Sequence, residues 1–313
     1  MIMKKIISVL LTLTVLLTAA CAMADEINVI SREDGSGTRG AFIELFGIEQ
    51  KNEEGEKVDY TTDECDITNS TSVMMTSVAG NENAIGYISL GSLNDTVKAL
   101  KIDCAEATVE NIKAGIYNVA RPFNIATLAE VSDVTADFIA FIMSAEGQAV
   151  VEENGYIAVA DEAMPFEVGK VSGKIVVAGS SSVTPVMEKL AEAYEAINPN
   201  VEIELQQSDS SSGMTSTLDG VCDIGMASRE LKESELENGL VPTVIAMDGI
   251  AVIVSNDNAM NCLSSEEVRD IYMGVITEWD EINEHECVEP AVPQDEPTSE
   301  EGAEANGGSE VDG

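Results

Sequence analysis

The stretch Arg32-Glu33-Asp34-Gly35-Ser36-Gly37-Thr38-Arg39 decides how this chain is read. A short apolar run, Ile27 to Ile30, leads into it with the character of a strand, and Ala41, Phe42, Leu45 and Phe46 follow at helical spacing. Two glycines, a serine and a threonine therefore occupy a strand-to-helix junction. Glycine lets the backbone approach a ligand closely, and the N–H groups of a first helical turn have no partner inside the helix. With the helix dipole they make an anion site. Arg32 adds a planar fork suited to an oxyanion, and Asp34 is placed to hold that fork. Taken alone, the motif is equally a glycine turn with a serine N-cap.

The motif is not alone. Gly179-Ser180-Ser181-Ser182 follows the apolar run Ile175 to Ala178 and opens a second helix, with Pro185 in its first turn and Val186, Leu190 and Tyr194 on one face. Ser208-Asp209-Ser210-Ser211-Ser212-Gly213 follows the alternating run Val201, Ile203, Leu205. Asp223-Ile224-Gly225-Met226-Ala227-Ser228-Arg229 is a further case. Repeated junctions of one chemical kind point to an oxyanion site rather than to coincidental caps.

The chain has 313 residues, enough for two lobes, and a formal net charge of −41. That charge excludes a generic nucleic-acid binder, which needs clustered Lys and Arg, and opposes binding to anionic lipid. An anion must be held locally, by backbone N–H groups, hydroxyls and one or two arginines. At the N-terminus Lys4 and Lys5 precede an apolar run from Ile6 to Leu17, the pattern of a secretory signal over 1–24. Ala22-Met23-Ala24 offers cleavage before Asp25, while Thr18-Ala19-Ala20-Cys21 resembles a lipobox with Cys21 as the lipid-bearing residue. The atypical Thr18 favours release after Ala24. Both readings place the chain outside the cytoplasm.

Cys65, Cys104, Cys222, Cys262 and Cys287 are an odd set without C-x-x-C spacing. Cys222 reads as a buried free thiol, and Cys65–Cys104 and Cys262–Cys287 as candidate disulfides. The spacing predicts a polar loop over 52–64, a helix over 71–78, a strand over 84–89, a short helix over 109–114, a strand over 123–126 and one long helix over 134–153. Residues 162–173 form a connector, 241–254 two apolar runs broken at Asp248-Gly249, and Ser264 to Glu267 a capping box. From about Glu289 the acidic, apolar-poor tail is expected to be disordered, and the tail is taken as 287–313. Strands alternating with helices give an α/β fold.

These pieces together resemble the phosphate-binding proteins of bacterial ABC phosphate importers, the two-lobed periplasmic-binding-protein type with a mixed sheet in each lobe and a hinge between them. The resemblance rests on the four junctions above and on Ala84-Ile85-Gly86-Tyr87, Ser144-Ala145-Glu146-Gly147-Gln148 and Ala246-Met247-Asp248-Gly249-Ile250-Ala251-Val252. It spans nearly everything between Asp25 and Glu284. The order differs: in the family the Gly-Ser-Ser-Ser strand comes first and the Gly-Ser-Gly-Thr turn falls halfway. The chain thus resembles a circular permutant, its usual ends joined through Ala160 to Lys174. One lobe is then 25–120 plus 246–286 and the other 121–245, and a dimer that exchanges halves is the alternative to a monomer.

The resemblance implies that Arg32, Ser36, Gly37 and Thr38 contact phosphate from one lobe, with Asp34 steadying Arg32. From the other lobe it implies Ser181, Ser182, Ser211 or Ser212, and Ser228. Many family members carry an aspartate at the position of Ser228, so sulfate and molybdate remain alternative ligands, with Asp34 and then Asp209 as acceptors for the phosphate proton. The implied partner is an ABC permease, with no cofactor, no metal and no nucleic acid. An adhesin or sensor of the same fold is a further reading. Catalysis is not expected, since a serine nucleophile needs a base and His285, beside the acidic tail, is the sole histidine.

Overall fold

The computed structural model describes residues 26–160, 163–282 and 287. The leader with Cys21, His285 and the rest of the acidic tail lie outside the described residues. Strand β1 (Asn28–Arg32) runs into helix α1 (Gly37–Leu45), followed by β2 (Glu49–Lys51), β3 (Lys57–Asp59), β4 (Asp66–Thr68) and α2 (Thr71–Ala79). Next come β5 (Ala84–Ser89), β6 (Lys98–Ala99), β7 (Lys101–Ile102), α3 (Val109–Lys113) and β8 (Ala120–Thr127). Helices α4 (Asp133–Ile142) and α5 (Ala145–Glu153) lead to the connector. Beyond it are β9 (Gly173–Ser180), α6 (Thr184–Ile197), β10 (Val201–Ser208), α7 (Ser210–Leu218), β11 (Ile224–Ala227) and α8 (Glu233–Glu237). The long strand β12 (Val241–Val254), β13 (Cys262–Leu263) and α9 (Ser265–Tyr272) follow.

One mixed sheet runs in the order β10-β9-β11-β8-β12-β5-β1-β4, with β6 also on β12. β9 pairs in parallel with β10 and β11, and β1 in parallel with β4 and β5. Such strands need a crossover, and α1, α2, α6 and α7 supply it while covering their faces. β12 links the two ends. Its first half pairs antiparallel with β8, from Val241 opposite Thr127 to Gly249 opposite Ala120, with a register shift between Val244 and Ala246. Its second half pairs with β5, from Ile250 opposite Ser89 to Val254 opposite Ile85.

The apolar side chains separate accordingly. One core gathers Ile27 to Val119 with Ile250 to Ile282, centred on Phe42, Tyr87 and Tyr272. Another draws only on residues between Phe123 and Ala246, centred on Phe138, Leu190 and Tyr194. β8 and β12 cross from one to the other.

Three local expectations change. The helix read over 134–153 is two helices meeting at a 58° bend. Ser144 caps the second by accepting from Gly147 N at 3.2 Å, and Gly147 sits so tightly that a Cβ there would fall 2.1 Å from the Phe141 carbonyl. The runs over 241–254 are a single strand, because Asp248 meets Arg121 inside the sheet and does not end it. The loop over 52–64 contains β3, which closes a hairpin with β2.

Phe42 is fully buried and its ring stacks on Tyr87 with centroids 3.9 Å apart. Phe42→Ala is expected to destabilise the chain by about 3–5 kcal/mol, since the rigid rings around it cannot collapse into the space. Urea denaturation of the two proteins checks this; a change within about 1 kcal/mol contradicts the packing described.

Candidate functional site

The site forms where the first turn of α1 meets the elements of the second core. β1 ends at Arg32, and Ser36 caps α1 by accepting from Arg39 N at 3.3 Å. Glycine at positions 35 and 37 is required by closeness. A Cβ on Gly35 would fall 2.1 Å from the Asp209 carboxylate, and one on Gly37 2.5 Å from Ser210 Oγ and 2.9 Å from Ser228 Oγ. A backbone bond spans the junction, from Ser211 N to Gly35 O at 3.2 Å.

Arg32 is almost wholly buried, at 1% exposure. Its Nε and Nη2 donate to the two oxygens of Glu33, both at 2.8 Å, and Nη2 also donates to Ser181 Oγ at 3.1 Å. Its Nη1 is buried without a hydrogen-bond partner. The Tyr87 hydroxyl steadies the strand beneath, accepting from Arg32 N at 3.2 Å and lying 2.9 Å from Ser31 Oγ. Burial pushes that phenol up to about 12, so it stays a neutral hydrogen-bonding group.

Around the guanidinium lies a buried cluster of hydroxyls. Thr38 Oγ1 is 2.8 Å from Ser182 Oγ and 3.3 Å from Ser228 Oγ, and Ser180 Oγ donates to Ser228 Oγ at 3.0 Å. The N-terminus of α2 adds Thr71, whose N–H donates to Ser181 Oγ at 3.3 Å and whose hydroxyl lies 3.3 Å from Ser182 Oγ. Ser210 Oγ accepts from Ser228 N at 3.2 Å.

A second buried arginine completes the group. Arg121 donates through Nη2 to Thr38 Oγ1 at 2.9 Å, through Nε to Ser228 O at 2.9 Å and through Nη1 to Gly249 O at 3.3 Å. Asp248 faces it at 3.3 Å and accepts from Gly91 N at 3.2 Å. Burial pushes the Asp248 carboxyl up to about 6 and the Arg121 guanidinium down, and their mutual attraction offsets only part of either shift.

Of the residues expected from sequence, Arg32, Gly37, Thr38, Ser181, Ser182 and Ser228 converge here, and Ser36 flanks them as the cap. Asp34 does not. Its side chain is 97% exposed and pairs with Arg39 at 2.6 Å, while the longer Glu33 reaches back to hold Arg32. Ser211 and Ser212 also stand outside the hydroxyl cluster. Ser211 Oγ accepts from Arg229, and exposed Ser212 is tied to Asp209, the cap of α7; Ser210 occupies the inward position. Asp209 is spent on that cap. Arg229 is engaged by both oxygens of Glu235. Sequence reading missed Arg121, Thr71 and the role of Asp248. The available signal was a charge set inside each of two strongly apolar strands.

The arrangement concentrates donors: guanidinium N–H, hydroxyls and helix N-terminal N–H groups. It suits a small tetrahedral oxyanion. Among the described residues, the cluster serines bond to hydroxyls, guanidinium and backbone.

Comparison with known proteins agrees with this chemistry. The profile of the PBP superfamily domain matches residues 22–146 and 165–305. Phosphate-binding protein PstS 2 of Streptococcus agalactiae is 58% identical over 258 residues, 82% of this chain and 88% of that protein. The crystal structure of a phosphate-binding protein of a phosphate ABC transporter from Streptococcus pneumoniae TIGR4 superimposes with a TM-score of 0.65 at 46% identity, over 82% of this chain and 100% of that one. Phosphate-binding protein PstS of Bacillus subtilis is 30% identical over 115 residues, 36% of this chain.

The buried Asp248 has a pH consequence. Its folded value of about 6 lies above the ordinary 3.8, so between these the folded chain holds a proton that the unfolded chain releases. The stability from the neutral group is complete below pH of about 4 and is lost as pH rises through about 6. Melting temperatures of wild type and Asp248→Asn are expected to diverge with pH, the wild type losing ground relative to the variant from pH 4 to 7. A gap independent of pH contradicts this.

Proposed function

We propose a function from one premise: the chain belongs to the PBP superfamily, among the phosphate-binding proteins of ABC phosphate transporters. It is a substrate-binding protein for phosphate import. The observation that carries the site assignment is the unpartnered Nη1 of buried Arg32, set in a cluster of hydroxyls between two cores. Phosphate is held there by Arg32, Ser36, Thr38, the N–H of Gly37, Ser181, Ser182 and Ser228, with Thr71 and Arg121 added by the geometry. The bland alternative, a purely structural polar junction, leaves a buried donor unsatisfied at a cost of about 1–3 kcal/mol.

The two lobes are 25–120 with 246–286, and 121–245; the division of apolar side chains between two cores supports this. Ligand enters when the lobes part and favours the closed form through contacts available only there. The permease meets the closed form outside the cytoplasm, which the leader-like segment over 1–24 supports. The chain order is read as a circular permutation. In its favour, the match to the S. agalactiae protein runs through most of both chains, whereas that to the B. subtilis protein stops after 115 residues. The protein captures its ligand without transforming it, a reading supported by relatives that are named phosphate-binding proteins.

Arg32→Ala is expected to weaken phosphate binding by about 2–3 kcal/mol in calorimetry, the loss of charge-assisted bonds to a buried dianion. Near-normal binding removes Arg32 from the site.

Asp34→Asn is expected to leave phosphate affinity within about twofold, because the carboxylate stands in solvent beside Arg39. A loss of about tenfold or more, roughly 1.4 kcal/mol, puts Asp34 in contact with the ligand and overturns its exclusion here.

A further inference from the structure

We propose that Cys104, Cys262 and Cys287 form a metal site for a thiophilic ion, zinc(II) first. Their sulfur atoms all lie within 4.8 Å of one another, and none of the three belongs to the hydroxyl and guanidinium cluster described above. They come from three separate parts of the chain. Cys262 opens β13, which pairs in parallel with β7 at Lys101. Cys104 sits in the turn just after β7, and Cys287 approaches from the C-terminal side with its sulfur 2.6 Å from that of Cys262.

The turn that presents Cys104 is unusual. Asp103 and Cys104 are the two described non-glycine residues at positive φ, 51° and 68°. Such a residue persists only where its surroundings impose it. Here Asp103 N donates to Leu263 O at 2.9 Å, and the Asp103 carboxylate accepts from Ser265 N at 2.9 Å and from the Ser265 hydroxyl. The strained turn is thus fastened to β13 and α9, and it delivers a third sulfur to the Cys262–Cys287 pair.

A disulfide between Cys262 and Cys287 would use two of the three clustered sulfurs. It also leaves Cys65 without Cys104, since Cys104 lies with the other two. A metal ion uses all three. Zinc thiolate bonds of about 2.3 Å in tetrahedral geometry space sulfurs about 3.8 Å apart, within the observed limit once the closest pair opens by about 1 Å. Sulfur donors select zinc(II) or copper(I) over calcium and magnesium. Binding releases the three thiol protons as the thiolates form, and the fourth position is left to water. The ion would fasten Cys287 to β13 and to the turn after β7.

The test uses the purified chain, reduced under nitrogen and given zinc(II), with cobalt(II) as a spectroscopic substitute. One zinc per chain after desalting, a cobalt–thiolate charge-transfer band and a raised melting temperature are expected. Cys104→Ser, Cys262→Ser and Cys287→Ser should each lose the band, whereas Cys65→Ser and Cys222→Ser keep it. Calorimetry with phosphate reports whether each variant is folded. Absence of stoichiometric zinc in the reduced wild type overturns the proposal, whatever the variants do. So does zinc uptake by Cys104→Ser equal to wild type, the result a simple Cys262–Cys287 pair would give.

Discussion

Burying two guanidinium charges at the meeting of two cores is the constraint on which this structure depends. Arg32 and Arg121 are 1% and 2% exposed. Such a charge is tolerated only when paired and fully hydrogen-bonded. Glu33 and Asp248 provide the opposite charges, while Ser181, Thr38 and the carbonyls of Ser228 and Gly249 take further donors. Left without a hydrogen-bond partner in this group are Nη1 of Arg32 and Oδ2 of Asp248. In the proposed site, an oxyanion would supply the acceptor for the Arg32 donor.

The crossing strands join the two cores. β8 and β12 carry the chain between the cores, and their pairing slips register between Val244 and Ala246. Arg121 and Asp248 lie opposite each other on these two strands. The second arginine is therefore fixed to the crossing itself, whereas Arg32 rides on β1 and Ser181 on the turn after β9. Contacts such as Thr38 to Ser182 and Ser211 N to Gly35 O join residues anchored in different cores. Gly35 and Gly37 permit this approach, since side chains there would meet Asp209, Ser210 and Ser228. In the proposed closure, these contacts would assemble the donor set and supply the differential contact a closing ligand needs.

The strand–glycine–helix junctions were legible because their signal is local. Composition, turn residues and helix periodicity coincide within ten or so residues of each. Which residue of a junction turns inward was not legible. The choice of Glu33 over Asp34 depends on side-chain length and on Arg39 lying one turn further along α1. That of Ser210 over Ser211 and Ser212 depends on where Asp209 caps α7. Arg121 and Asp248 were hidden because each explains the other only after β8 and β12 pair. The bend at Ser144 was not legible from Phe138, Phe141, Ile142 and Met143, since periodicity records faces and not the capping bonds that end a helix.

The direction of the hydrogen bonds bears on what the site recognises. Arg121 can only donate, so Thr38 Oγ1 receives its proton and must send its own hydroxyl proton elsewhere. Ser180 donates to Ser228 Oγ, which frees the Ser228 proton in the same way. Arg32 likewise donates to Ser181 Oγ. Each arginine thus turns a hydroxyl, which is by itself indifferent to the sign of its partner, into a committed donor. Glu33 is occupied by Arg32, and Asp248 stands behind Arg121. In the proposed site, negative charge and tetrahedral shape would be read directly, and any reading of the phosphate proton would fall to the remaining lone pairs of these same hydroxyls. That follows from having serine at position 228, where a carboxylate would accept the proton and repel a fully deprotonated anion.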